Sequence, residues 1–182
     1  MDSRFAQILV DLPQYGMNSA VLEEVALERA LTQKLTEWAE SPKRKPLLLQ
    51  GARQVGKTWL LEDFARRHYE DLTYYNLDED PANRVFFTRT KNPDELVRLL
   101  SAARGRPVLP ARTLIVFDEI QASPEALGSL KYFCEHAPQY HVAAAGSLLG
   151  VMLAQPGAFP VGRVHIEYLH SMSFTEFLQA GV

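Results

Sequence analysis

Short apolar runs alternate along the chain with segments in which apolar residues recur at helical spacing. Three runs are nearly continuous, as is typical of strands buried on both faces, and they span residues 47–50, 113–117 and 140–145. Two further strands are predicted at 72–77, which is rich in aromatic residues, and at 163–169. The pattern therefore predicts an α/β fold with a parallel sheet that helices cover on both faces.

Helices are predicted between these strands. Three are predicted over residues 19–40, 57–68 and 124–136. Two more are predicted to begin at Asp80-Pro81 and at Asn92-Pro93, and a last short helix at Ser173. In three of them a capping residue precedes a proline at the first helical position. Glu95 lies three residues after Asn92, and Glu176 three after Ser173, which is the spacing of a capping box. Residues 1–19 show no clear period and are predicted to form an extension to a single domain over 20–182.

Composition narrows the class of protein. The chain has 182 residues with 47% hydrophobic and 23% charged residues, which is ordinary for a globular domain. Its net charge of −3 argues against a protein that coats nucleic acid. The single cysteine, Cys134, excludes an intrachain disulfide and favours the cytoplasm. We expect no signal peptide and no membrane span.

A phosphate-binding loop is predicted directly after the first strand. Gly51, Gly56, Lys57 and Thr58 match the pattern G-x-x-x-x-G-K-[ST]. The loop's backbone N–H groups and the start of the following helix would hold phosphates, and Lys57 would reach the β- and γ-phosphates. The nucleotide-binding segment is predicted to comprise Gly51, Ala52, Arg53, Gln54, Val55, Gly56, Lys57, Thr58 and Trp59. Trp59 has two interpretations, since it faces either the core or the adenine.

An acidic pair follows the most hydrophobic strand. Asp118 and Glu119 stand at its carboxyl end, where ligands bind in open parallel sheets. With the Thr58 hydroxyl, Asp118 is predicted to hold Mg²⁺, directly or through water. Glu119 is predicted to orient and polarise the attacking water. A structural role on a surface turn is the alternative for Glu119.

Several stretches together resemble a known family. PLLLQGARQVGKT, YYNLD, LIVFDEIQ, LKYFCEHAPQYHVAAAGSLLG, PVGRV and SFTEFL are similar to the AAA_14 domain of bacterial and archaeal ATPases, over about residues 28–180. The resemblance implies a three-layer α/β/α P-loop NTPase fold of the ASCE type, with five parallel strands in the order 5-1-4-3-2. It also implies that ATP is the nucleotide. A DUF4143 domain usually follows in this family, and we expect this chain to hold the ATPase core alone.

The resemblance adds residues to the predicted site. It places Ser147, after the fourth strand, within reach of the γ-phosphate, although this serine could equally cap the next helix. The family's Gly-Arg element falls on Arg163, whose charge could stabilise the transition state. Because Arg163 opens the fifth strand, it is expected at the opposite end of the sheet unless the loop folds over. Arg53, within the phosphate loop, is the other candidate for that charge.

Three functions are compatible with these patterns. The first is a Mg²⁺-dependent ATPase that uses Lys57, Thr58, Asp118 and Glu119. The second is an ATP-gated switch or scaffold with little hydrolysis, which regulates a partner or a further domain. A nucleic-acid motor is the third, and the net charge weighs against it. Besides the nucleotide, a homo-oligomer or an unknown protein partner is possible, whereas neither nucleic acid nor a membrane is indicated.

Overall fold

A computed structural model describes residues 31–147 and 160–171 of the chain. Its α-helices and strands, in chain order, are α1 (Leu31–Glu40), β1 (Leu47–Gln50), α2 (Lys57–His68), β2 (Asp71–Asn76), α3 (Arg84–Arg89), α4 (Pro93–Arg104), β3 (Thr113–Asp118), α5 (Pro124–His136), β4 (His141–Gly146) and β5 (His165–Tyr168). Two 3-10 turns, Pro81–Asn83 and Ile120–Ala122, precede α3 and α5. Within the described ranges these elements form one compact unit.

The strands form one parallel sheet, and its order sets the position of the site. The order is β2-β3-β4-β1-β5, with every pairing parallel. Gln50 at the end of β1 is in register with Gly146 of β4 and with Tyr168 of β5. The segments that follow β1, β3 and β4 therefore all leave from one edge of the sheet. The predicted fold class and the strand order 5-1-4-3-2 are confirmed.

Two hydrophobic clusters cover the two faces of the sheet. Alternation along β1 sends Leu48 into one cluster and Leu47 and Leu49 into the other. The cluster with Leu48 is completed by side chains from α3, α4 and α5, and the other by side chains from α1 and α2. All residues of β1, β3 and β4 are buried, which confirms the interpretation of their continuous apolar runs.

The predicted elements agree with the structure to within one or two residues wherever both are described. The predicted first helix is seen from Leu31 onward, and Asp80-Pro81 begins a 3-10 turn that leads into α3. The extension over 1–19, the domain start at 20 and the capping box at Ser173 lie outside the described residues. No helix in the described part of the chain is long and apolar enough to span a membrane.

One capping detail differs from the prediction. Asn92 caps α4 by accepting from the N–H groups of Asp94 and Glu95, as expected. The Glu95 carboxylate does not return to the Asn92 N–H, however. It accepts from the Thr90 hydroxyl at 2.6 Å, and Thr90 Oγ1 in turn accepts the Asn92 N–H at 3.1 Å. The prediction of a reciprocal capping-box bond is therefore wrong here, because the Thr90 hydroxyl lies between the Glu95 carboxylate and the Asn92 N–H.

A buried polar pair stabilises the amino-terminal edge of the sheet. Tyr69, at the end of α2, bonds through its hydroxyl to Nδ1 of His141 at 2.7 Å, and His141 is only 8% exposed. Burial lowers the pKa of His141 to about 4, helped by the nearby Arg44, and burial raises the pKa of the Tyr69 phenol. With both groups neutral, the tautomer of the imidazole decides which of the two atoms donates in this hydrogen bond.

Acid is expected to weaken the fold through His141. As the pH falls from about 6.5 to about 4, His141 becomes protonated in the unfolded chain but stays neutral in the folded chain. The free energy of unfolding should fall over that window, by at most about 3 kcal/mol. His141→Asn retains a partner for Tyr69 but does not titrate, so its unfolding free energy should depend less on pH. Denaturant titrations at several pH values measure this, with exposed His136→Asn as the control; equal pH slopes for His141→Asn and wild type would contradict it.

Candidate functional site

The phosphate loop joins β1 to α2 at the carboxyl edge of the sheet. Two of its residues adopt left-handed backbone conformations, Gln54 with φ 63° and Gly56 with φ 90°. Left-handed residues in a tight turn are typical of the backbone concavities that bind anions. Helix α2 begins at Lys57, immediately after the second of these residues, so its free N–H groups lie at the loop.

Gly51 allows the close approach of a neighbouring strand. The N–H of Leu169, just beyond β5, donates to the Gln50 carbonyl at 2.7 Å and continues the β1–β5 pairing. A β-carbon on Gly51 would lie 2.4 Å from the Leu169 carbonyl oxygen, which is far inside contact distance. The first glycine of the motif is thus required by the backbone next to it.

We expect Gly51→Ala to destabilise the domain by about 1–3 kcal/mol, because a backbone carbonyl must move to admit the methyl group. Gly128→Ala is the matched control, since a β-carbon there meets no atom within 4 Å and the residue lies inside α5. That change should stabilise the domain by about 0.5–1 kcal/mol. Thermal and denaturant unfolding compare the two variants. Equal effects of the two substitutions would show that the close approach to Leu169 does not matter.

The side chain of Lys57 contacts the backbone of the loop. Its side chain is 6% exposed, and Nζ donates to the carbonyls of Gly51 at 3.0 Å and Ala52 at 2.7 Å. Burial lowers the pKa of the Lys57 ammonium, and the negative charges of Glu119 and Asp118 act in the opposite direction. The ammonium is therefore within electrostatic range of both predicted acidic residues, in a partly desolvated position where its charge acts strongly.

Asp118 is buried and accepts three hydrogen bonds. Its Oδ2 accepts from the Thr58 hydroxyl at 2.6 Å and from the Tyr74 hydroxyl at 2.8 Å, and its Oδ1 accepts from the Glu119 N–H at 2.8 Å. The predicted metal residues, Thr58 and Asp118, are thus in direct contact. Their oxygen atoms are ligands that suit Mg²⁺. No cluster of three His, Cys, Asp or Glu side chains occurs among residues 31–147 and 160–171, so an ion here would take further ligands from water or from phosphate oxygens.

Tyr74 is a site residue that the sequence analysis did not find. Residues 71–76 of β2 pair in register with 113–118 of β3, and Asn76 lies opposite Asp118. Tyr74, two residues before Asn76, shares a face of the sheet with Asp118, and a tyrosine can reach a diagonal neighbour. The strand order together with the alternation along β2 would have indicated this contact. Burial and the hydrogen bond to Asp118 raise the pKa of the Tyr74 phenol, so it serves as a neutral donor.

Glu119 follows Asp118 in a left-handed conformation, with φ 49° and ψ 46°. Such a conformation is strained for a residue that carries a β-carbon, and here it turns the chain sharply out of β3 into the 3-10 turn Ile120–Ala122. The Glu119 carboxylate accepts a hydrogen bond from the side-chain amide of Gln121. Gln121 is the second residue of the site to which the sequence analysis gave no role, although it ends the stretch LIVFDEIQ that resembles the family.

Ser147 lies at the same edge, after β4. Its hydroxyl is buried and has no hydrogen-bond partner among the described residues. It lines a cavity of about 300 Å³ together with Gln50, Gly51, Ala52 and the end of β5. An unpartnered hydroxyl beside the phosphate loop fits a polar ligand in this cavity. The alternative, that Ser147 caps a following helix, concerns residues outside the described ranges and stays a prediction.

The remaining predicted residues fall in three different environments. Arg163 precedes β5 at the opposite edge of the sheet from the loop, and its Nε pairs with Glu135 at 3.2 Å. The structure therefore does not bring Arg163 to the other site residues. Arg53 is exposed within the loop, and its charge contributes to lowering the pKa of Lys57. Trp59 is 39% exposed on α2, so its interpretation as a core residue is wrong.

In sequence, most of the chain matches the model of one protein family. The model of a family described as AAA domain, AAA_14, matches residues 43–178. No curated protein matches the chain in sequence. Among solved structures, one of Drosophila ORC bound to GC-rich DNA and Cdc6 is similar to 87% of this chain at 18% identity, with a TM-score of 0.48. The chain spans 60% of that neighbour's length.

Proposed function

Since the chain belongs to the AAA_14 family of AAA domains, we propose that it binds ATP together with Mg²⁺ and hydrolyses the γ-phosphate bond with water as the acceptor. The observation that carries this proposal is the contact of Thr58 with Asp118 at 2.6 Å, beside the phosphate loop and Lys57. It brings two hard oxygen ligands and one cation to the place where phosphates would lie.

In the proposed reaction each residue has one task. The loop from Gly51 to Gly56 wraps the phosphates, and Lys57 leaves the carbonyls of Gly51 and Ala52 to neutralise their charge. Thr58 and Asp118 hold Mg²⁺, which when bound neutralises charge on the β- and γ-phosphates. Glu119 takes the proton of the attacking water. Ser147 is proposed as a donor to the γ-phosphate, and Arg53, rather than Arg163, as the nearby arginine.

Thr58 tests the metal part of the proposal. Removing the hydroxyl in Thr58→Ala should raise the Mg²⁺ concentration needed for half-maximal ATP turnover by about 10- to 100-fold, because a metal contact is lost. Thr58→Ser retains a hydroxyl and should stay close to wild type. Phosphate release is measured against Mg²⁺ concentration at saturating ATP. An unchanged Mg²⁺ requirement in Thr58→Ala, or turnover in the presence of a chelator, would contradict the role of Mg²⁺.

An ATP-gated switch is the second candidate, and Lys57 supports it. Its ammonium is bonded to two carbonyls of its own loop, so it must exchange these partners for phosphate oxygens when a nucleotide binds, which would couple binding to a change at the loop. ATP binding without turnover in the wild-type chain would favour the switch over the enzyme. The homo-oligomer or protein partner and the cytoplasmic location stay predictions.

A further inference from the structure

Gln121 is bonded to the residue that would activate water, although the proposed mechanism gives it no task. It lies in the 3-10 turn that follows Glu119, and its Nε2 donates to Oε2 of Glu119. The turn is held by two backbone bonds, from Ala122 N–H to the Glu119 carbonyl at 2.9 Å and from Ser123 N–H to the Ile120 carbonyl at 3.1 Å. Ile120 is fully buried and anchors it. The Gln121 amide is therefore presented to Glu119 by a rigid segment.

The other end of the same amide has no partner. Gln121 Oε1 is buried and accepts no hydrogen bond from any described residue. A buried acceptor without a hydrogen bond is destabilising, so such a group calls for a ligand that satisfies it in the functional state. Because Oε1 and Nε2 belong to one planar amide, this acceptor must lie close to the Glu119 carboxylate.

A water molecule that attacks phosphorus has two protons to direct. One goes to the Glu119 carboxylate, and a second acceptor nearby would fix the orientation of the oxygen lone pair that attacks. We propose that Gln121 is a water-orienting residue, which holds Glu119 through Nε2 and accepts a hydrogen bond from the attacking water through Oε1. This inference rests on the proposed ATP hydrolysis.

The step balances without a change in Gln121. The water oxygen forms a bond to the γ-phosphorus while the bond from that phosphorus to the bridging oxygen breaks, and its electron pair stays on the ADP oxygen. One proton passes from the water to Glu119. Gln121 donates one hydrogen bond to Glu119 and accepts one from the water without gaining or losing a proton, so its contribution is orientation. It should therefore appear in kcat and not in nucleotide affinity.

The test compares Gln121→Met, which has a similar length but neither a donor nor an acceptor, with wild type. We expect kcat to fall about 10- to 100-fold while KM for ATP and affinity for ADP stay within about twofold. In Gln121→Glu the acceptor is retained, but the carboxylate cannot donate to Glu119 and repels it, so kcat should fall at least as far. Gln33→Met is the matched control, because Gln33 donates to Glu37 at 3.1 Å in an equivalent pair on the exposed face of α1.

A double variant separates orientation from mere structural support. If Gln121 acts through the same water as Glu119, adding Gln121→Met to Glu119→Gln should cost less than about twofold more in single-turnover assays. If the double variant loses the full factor that Gln121→Met loses alone, the inference is overturned. It is also overturned if Gln121→Met has the kcat of wild type, or if this variant loses only ATP affinity or melting temperature. No turnover in the wild-type chain would overturn the proposed ATPase function and this inference with it. Normal wild-type turnover together with an unaffected Gln121→Met would overturn this inference alone.

Discussion

Glu119→Gln is expected to lower ATP turnover by about 100- to 10,000-fold while ATP binding stays close to wild type. The amide has the shape of the carboxylate and can still accept from Gln121, so the local structure should persist. It cannot take a proton from water, however. The loss should therefore appear in kcat, since the missing interaction forms only in the transition state.

Phosphate release at saturating ATP measures the rate, and calorimetry with a slowly hydrolysed ATP analogue measures binding. Glu125→Gln is the matched control, because Glu125 is an exposed carboxylate in the first turn of α5, a few residues further along the chain. If wild type and Glu119→Gln turn over ATP equally fast, Glu119 is not the base. If both bind ATP and neither turns it over, the switch is the better description of this chain.

Lys57→Met is expected to weaken ATP binding by about 2–4 kcal/mol, which corresponds to roughly 30- to 700-fold in Kd. The reason is the loss of a partly desolvated cation at the point where the phosphate charges would lie. Folding should not suffer to the same degree. Burial disfavours the charged ammonium in the absence of nucleotide, and methionine fills a similar volume without that cost.

Binding of ATP and ADP to the two proteins is measured by calorimetry, and their melting temperatures are compared without nucleotide. Lys91→Met changes the net charge by the same amount at an exposed position and should bind ATP as wild type does. Equal ATP affinity in Lys57→Met and Lys91→Met would be incompatible with a phosphate site at the loop. A large drop in the melting temperature of Lys57→Met alone would instead assign Lys57 a structural role.

The sequence by itself determined the secondary-structure elements and predicted most residues of the candidate site. Continuous apolar runs predicted β1, β3 and β4, since strands buried on both faces have no polar side to alternate with. The spacing of Gly51, Gly56, Lys57 and Thr58 predicted the loop between a strand and a helix, because phosphate binding depends on backbone geometry that is local in sequence. The strand order came from the family resemblance, since periodicity carries no information about which strands are neighbours.

The tertiary structure alone decided the contacts between distant segments. Tyr74 reaches Asp118 only because β2 lies beside β3 in register, and Gly51 is crowded only because Leu169 continues the pairing of β5 with β1. Arg163 matched a family element but lies at the opposite edge of the sheet, because parallel strands start and end at opposite edges. Gln121 stands in the family-like stretch LIVFDEIQ, but its contact with Glu119 did not follow from the sequence, since it depends on a left-handed Glu119 and a buried amide oxygen. Neither the backbone conformation of one residue nor the burial of one atom is encoded in residue spacing; both follow from how the packed segments meet.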